Sequence, residues 1–194
     1  MTQRALAASI VTLVLALPLA AQDSNVEKLI DFEPGTAPAW FVVNDGVMGG
    51  RSSSTLRAGD EGGAVFEGEL SLENNGGFAS VRTEIPEGSL AGASRISLRV
   101  RGDGNSYQLR LRPGRQMDGV AFGAGFETVA GEWITVELPI SDFEPTYRGY
   151  RPRGAGPLDL SRVGQLGIML TDKQEGAFRL DIDWIGVDRS EDRP

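Results

Sequence analysis

The stretch Arg95-Ile96-Ser97-Leu98-Arg99-Val100-Arg101-Gly102-Asp103-Gly104-Asn105-Ser106-Tyr107-Gln108-Leu109-Arg110-Leu111-Arg112 alternates apolar and polar residues on both sides of a turn-forming tetrapeptide. Alternation puts successive side chains on opposite faces, so each arm reads as a half-buried β-strand. Gly102 to Asn105 would close the arms into a hairpin. In that register Arg101 faces Ser106, Val100 faces Tyr107, Arg99 faces Gln108 and Leu98 faces Leu109. Ile96, Leu98, Val100, Tyr107, Leu109 and Leu111 then share the core face. Arg99, Arg101, Gln108, Arg110 and Arg112 share the other, with Arg95 and Ser97. That polar face reads either as solvated surface or as a positive field able to receive carboxylates, phosphates or an acidic partner.

The same pattern recurs along the chain. Short alternating runs are expected as strands at 29–32, 40–44, 52–56, 64–72, 79–84, 95–101, 106–112, 120–128, 133–138, 165–170 and 178–187, separated by Gly, Asn, Asp and Pro. Many short strands at this spacing indicate an all-β, two-sheet antiparallel sandwich. The one helical candidate is Leu158–Val163, with Asp159 or Ser161 as its cap. Asp142–Pro157, rich in Pro and Gly, reads as a long surface loop. No repeat or linker divides the chain, which is expected to form one domain over residues 22–188 with a tail at 189–194.

The chain has 194 residues, with no His and no Cys. Those absences exclude a Ser-His-Asp triad, a thiolate nucleophile, disulfides and Cys- or His-ligated metals. No cofactor is expected; structural Ca²⁺, held by oxygen, is the ion left open. The formal net charge of −8 argues against nucleic acid as a partner. Residues 1–21 combine Arg4, an apolar run and a small-residue exit at Pro18-Leu19-Ala20-Ala21, which reads as a secretory signal peptide. A periplasmic or secreted protein with no membrane span in its mature chain is the expectation.

Two stretches are dense in motifs. Trp40 to Ser52 contains Asn44-Asp45-Gly46-Val47-Met48-Gly49-Gly50-Arg51, which folds as a compact loop. It is either a shaped hairpin with Trp40 and Met48 in the core, or a ligand loop offering Asn44, Asp45 and Arg51. Phe66 to Arg82 contains Asn74-Asn75-Gly76-Gly77-Phe78, a turn between alternating strands, after which Ser80 and Arg82 share a face. In the last strand Phe178, Leu180, Ile182 and Trp184 are expected inside and Arg179, Asp181 and Asp183 outside. If the first and last strands lie together, Asp31, Glu33, Asp181 and Asp183 become candidate Ca²⁺ ligands. Asp181 and Asp183 also raise a carboxylate-based hydrolase as an alternative.

These segments carry a resemblance. Trp40 with Val43-Asn44-Asp45-Gly46-Val47-Met48-Gly49-Gly50-Arg51-Ser52, then Leu72-Glu73-Asn74-Asn75-Gly76-Gly77-Phe78-Ala79-Ser80-Val81-Arg82 are followed by Val100-Arg101-Gly102-Asp103-Gly104 and Trp133. The loop from Phe143 to Arg148-Gly149 and Ile168-Met169-Leu170 with Asp172-Lys173-Gln174, Gly176 and Phe178 complete the set. The chain resembles the NADH:ubiquinone oxidoreductase intermediate-associated protein 30 family, as an exported bacterial member. The resemblance implies a galactose-binding-domain-like jelly roll and a non-enzymatic binding or assembly role. The expected partner is a protein engaged through a loop-rich rim and an Arg-rich face; the alternative is a carbohydrate-binding module for an acidic glycan. Asn44, Asp45, Met48, Arg51, Asn74, Asn75, Phe78, Arg82, Arg99, Arg101, Gln108, Arg110, Arg148, Asp172 and Lys173 are the candidate partner-binding residues.

Overall fold

The computed structural model describes residues 26–33, 37–115, 118–171 and 173–189. The signal-peptide reading of residues 1–21 and Asp172 fall outside them. Among the described residues twelve strands form two antiparallel sheets: β1 Glu27–Asp31, β2 Trp40–Val42, β3 Ser53–Ala58, β4 Ala64–Leu70, β5 Ala79–Glu84, β6 Arg95–Arg101, β7 Ser106–Pro113, β8 Ala121–Glu127, β9 Trp133–Pro139, β10 Glu144–Thr146, β11 Val163–Leu170 and β12 Gly176–Asp188. Sheet I runs β3-β4-β12-β6-β9, with β1 also paired to β12; sheet II runs β10-β8-β7-β11-β5-β2. The all-β sandwich expected from the alternation is what forms. Among the described residues no helix is long and apolar enough to cross a membrane.

The 95–112 stretch does not form a hairpin. β6 pairs with β12 and β9 in sheet I, while β7 pairs with β11 and β8 in sheet II. Ile96, Leu98 and Val100 therefore meet Tyr107, Leu109 and Leu111 across the core instead of lying beside them. The alternation fixed which side chains point inward, and that reading holds. It did not fix the pairing partner, because a two-sheet core buries an inward face equally well from either sheet. The turn residues serve a crossing between sheets. Asp103 accepts from the Asn105 and Arg179 backbone N–H groups at 3.0 and 2.8 Å and from the Tyr107 hydroxyl at 3.1 Å. Gly102 lies so close to Thr128 that a Cβ would stand 2.3 Å from its Oγ1.

Three smaller differences bear on the site. The long 142–157 loop contains β10, which pairs with β8. The helical candidate is one 3₁₀ turn, Leu160–Arg162, capped by Asp159, which accepts from Ser161 N at 3.0 Å. In β12 a register shift between Ile182 and Trp184 reverses the alternation, so Ile185 and Val187 enter the core and Trp184 is buried outside it.

Gly102→Ala tests the crossing. It is expected to lower stability by about 2 kcal/mol in urea unfolding, through the clash with Thr128. An unchanged midpoint would mean that this tetrapeptide is an ordinary open turn.

Candidate functional site

The two motif-dense stretches are one structural knot. Asp45 is fully buried. Its Oδ1 accepts from Ser52 N at 2.9 Å; its Oδ2 accepts from the Ser52 hydroxyl, from Gly77 N at 2.7 Å and from Phe78 N at 3.3 Å. Burial pushes its pKa up, but the Ser52 hydroxyl and the Gly77, Ser52 and Phe78 amides outweigh that and hold the carboxyl below its ordinary value. A Cβ at Gly50 or Gly76 would stand 2.4 Å from the Asp45 Cγ or 2.7 Å from its Oδ2. The glycines are there to let both loops close on this carboxylate. Asn44 Oδ1 likewise accepts from the Ser54 hydroxyl at 2.9 Å and Ser80 N at 3.1 Å. Asn44 and Asp45 thus turn inward to organise the loops.

The other loop candidates sit on the surface. Met48 is 59% exposed, contrary to the core reading, whereas Trp40 packs against the core and stacks on Phe32. Arg51 pairs with Glu73 at 2.9 Å. Asn74 adopts a left-handed conformation (φ 55°) in the short helical turn that also contains Asn75. Phe78 is half-buried and Lys173 is exposed. Arg148 pairs with Asp118 at 2.8 Å and lies 5.2 Å from the Tyr147 ring centre.

The expected Arg face is divided between opposite surfaces. On the outside of sheet I, Arg101 pairs with Asp181 at 3.1 Å, Arg179 joins the same carboxylate at 2.8 Å, and Arg99 lies 3.8 Å from Asp183. Arg101 and Arg99 also stand over Trp133 at 5.0 and 5.8 Å. β1 does pair with β12, as the Ca²⁺ reading required, but Asp31 binds Lys28 at 2.7 Å. Among the described residues no three acidic side chains gather to hold a metal. Beside this network lies an open cleft of about 400 Å³ bounded by Trp133, Arg99, Asp183, Glu61 and Lys28.

Sheet II is different. Its outer face carries the cross-strand row Phe41–Arg82–Gly167–Arg110–Gly123–Glu144, flanked by Gln165–Arg112 and by Ser80–Met169–Gln108. Gly167 leaves room for Arg82, whose Cγ would be 3.2 Å from any Cβ there. Arg110 reaches Met169 Sδ at 2.9 Å and Thr146 Oγ1 at 2.6 Å, and Arg112 donates to Gly119 O at 3.2 Å. Among the described residues, neither Arg110 nor Arg112 has a carboxylate within ion-pair distance. Burial, then the charges of Arg112 and Arg110, lower the Arg82 pKa to about 10; burial and Arg112 lower Arg110 to about 10. Burial also lowers Arg112, against the pull of Asp118. The three guanidinium groups border a narrow crevice with about 10 Å³ of room for a water-sized group. Arg110 and Gln165 both line that crevice, and among the described residues Arg110 Nε and Gln165 Oε1 are buried with no hydrogen-bond partner. Gln165, Thr146 and Gly167 were not singled out from the sequence. A glycine inside the apolar run Val163–Leu170 was the available signal, since it marks a close approach.

The family model for complex I intermediate-associated protein 30 matches residues 30–182. The chain belongs to the complex I intermediate-associated protein 30 family. Mouse (Mus musculus) complex I intermediate-associated protein 30, mitochondrial, is 30% identical over 168 residues, covering 76% of this chain and 51% of that protein. A probable Caenorhabditis elegans counterpart is 32% identical over 157 residues, covering 71% and 46%. The chain spans about half the length of these curated relatives. Both are named mitochondrial proteins, which overturns the expectation of a periplasmic or secreted protein. The fold of this family member is also that of a family 11 carbohydrate-binding module from a Clostridium thermocellum cellulosomal cellulase (TM-score 0.64, 20% identity, 87% of this chain and 98% of that one). The same module has been solved with a β-1,3-1,4-mixed-linked tetrasaccharide (TM-score 0.63, 20% identity, 87% and 99%).

Asp45→Asn tests the knot. An amide has one acceptor oxygen, so it cannot accept from both the Ser52 and the Gly77 backbone N–H groups, and unfolding free energy is expected to fall by about 3 kcal/mol. Because the folded pKa lies below the unfolded one, the wild-type advantage is complete above the ordinary carboxylate value of 3.8 and is lost as pH falls below it. Equal urea midpoints at neutral pH would contradict this role.

Proposed function

We propose that the chain is a non-enzymatic assembly module that engages a protein partner of complex I through the outer face of sheet II. Family membership supports the assembly role. The observation that carries the choice of face is the contrast between the two Arg sets. On sheet I the guanidinium groups are neutralised by Asp181 and Asp183. On sheet II Arg82, Arg110 and Arg112 border one crevice, and among the described residues neither Arg110 nor Arg112 has a carboxylate within ion-pair distance. A desolvated positive cluster at a surface is relieved by an acidic partner, which gains both attraction and orientation. The acids considered for hydrolysis are engaged with arginines, which supports binding over catalysis.

A second reading is carbohydrate binding at the cleft on sheet I, where Trp133 is 37% exposed beside charged side chains. The sugar-bound neighbour and an exposed aromatic ring favour it.

Capture from membranes containing complex I separates the two. The wild-type chain is expected to recover complex I subunits, and Arg82→Gln with Arg112→Gln to reduce recovery about tenfold. Arg99→Gln with Arg101→Gln should leave it unchanged. Undiminished capture by the sheet II variant would contradict the proposal. Loss of capture with saturable binding of the mixed-linked tetrasaccharide, abolished in Trp133→Ala, would favour the second reading.

A further inference from the structure

We infer that the cleft on the outer face of sheet I holds a neutral sugar ring, stacked on Trp133 and hydrogen-bonded by Arg99 and Asp183. The inference rests on the second reading and names the charge class of its ligand. It is independent of the protein-partner reading, which uses the opposite face of the sandwich.

The cleft is built by a change of neighbour along β12. On one side β12 pairs with β4 as far as Ile182 opposite Ala64, and with β1 from Trp184 opposite Asp31 onward. On the other side its register with β6 shifts between the same two residues, Ile182 and Trp184. Asp183 is skipped on both sides. An irregularity of this kind re-aims a side chain, and Asp183 borders the cleft. A second register shift, between Lys28 and Ile30 of β1, lies beside it. The turn from β3 to β4 supplies Gly62 and Gly63, whose left-handed conformations (φ 94° and 73°) line the cleft with backbone alone. The resulting space of about 400 Å³ falls within the range of small-ligand sites, roughly 300–1,000 Å³.

Three features of the lining select the ligand. Trp133 is 37% exposed, and the Arg101 and Arg99 guanidinium groups, 5.0 and 5.8 Å from its ring centre, hold the ring in place. A preset aromatic surface suits the apolar face of a sugar ring. Arg99 and Asp183 stand 3.8 Å apart, too far for a direct hydrogen bond. The pair offers a donor and an acceptor side by side. Adjacent ring hydroxyls, each able to donate and accept, engage both. Charge then decides the class. The lining holds the carboxylates of Asp31, Glu33, Glu61 and Asp183 against two cations, Lys28 and Arg99. An anionic sugar meets that excess of negative charge, and a cation stacking on Trp133 meets the two guanidinium groups already over it. A neutral ring meets neither.

The test is solution NMR of the full ¹⁵N-labelled chain, following the indole N–H signals of its three tryptophans, with Trp133 assigned by its loss in Trp133→Phe. The probes share one backbone linkage and differ in charge: cellotetraose, its glucuronic acid counterpart and its glucosamine counterpart, compared in mildly acidic buffer. Cellotetraose is expected to move the Trp133 signal saturably, and each charged tetramer to bind about tenfold more weakly. Asp183→Ala is expected to weaken cellotetraose binding about tenfold, as loss of a charge-assisted hydrogen bond does, with the amide spectrum away from the cleft unchanged. Equal or tighter binding of either charged tetramer overturns the inference and leaves the carbohydrate reading standing, as does undiminished cellotetraose binding in Asp183→Ala. No saturable shift with any of the three rejects the carbohydrate reading and the inference with it. No partner protein enters this titration, so neither result bears on capture through sheet II.

Discussion

With no cysteine in the chain, no disulfide ties the two sheets, and they are held together by the apolar layer between them. Leu98, Leu109, Leu111, Ile168, Leu170 and Leu180 are each fully buried there, and each contributes roughly 1.5–3 kcal/mol by leaving water. That layer dictates where everything else goes. Alternation along each strand sends the arginines outward, and the sheet to which a strand is assigned decides which surface receives them. The Gly102–Asn105 crossing places β6 and β7 in different sheets. A continuous Arg surface is thereby split into one neutralised set and one crowded set. The electrostatic asymmetry of the molecule follows from a packing decision in its core.

Much of this was legible in the amino-acid sequence, and the part that was not has a physical cause. Periodicity of two reports the inward or outward direction of a side chain, and it located nearly every strand and the core residues of 95–112 correctly. It carries no information about which strand lies alongside, because both sheets bury the same kind of face. The hairpin register therefore failed while its face assignment held. Trp184 is buried as expected, but a register shift in β12 reverses the parity, so Ile185 and Val187 join the central cluster in its place, and no residue type announces that shift. β10 was hidden in a Pro- and Gly-rich loop because three residues are too few for a pattern.

The candidate site was legible in its charges and hidden in its geometry. Arg82, Gln108 and Arg110 were placed together by polarity, and they do share a face of sheet II. Gln165 and Gly167 escaped notice because their value lies in what stands beside them. The most specific motif, Asn44-Asp45-Gly46 with Gly49-Gly50 and Asn74 to Phe78, proved to be architecture: a buried carboxylate satisfied by the loops it gathers. Within the complex I intermediate-associated protein 30 family this is a reason for sequence similarity that needs no ligand. The proposed recognition face is then the one that carries the sheet II arginines, whose surroundings distinguish them more than their spacing does.

On sheet II the Arg112 guanidinium adds its charge to those of Arg82 and Arg110 in a half-buried setting, whereas on sheet I Arg101 and Arg99 are paired with Asp181 and Asp183. Thermal unfolding of two single variants, Arg112→Met and Arg101→Met, tests this most directly. Arg112→Met removes a half-buried cation from beside Arg82 and Arg110, and the account predicts a higher midpoint than wild type. Arg101→Met strips a partner from the buried Asp181 and a cation from Trp133, and the account predicts a lower one. A midpoint that falls as far in Arg112→Met as in Arg101→Met would contradict it.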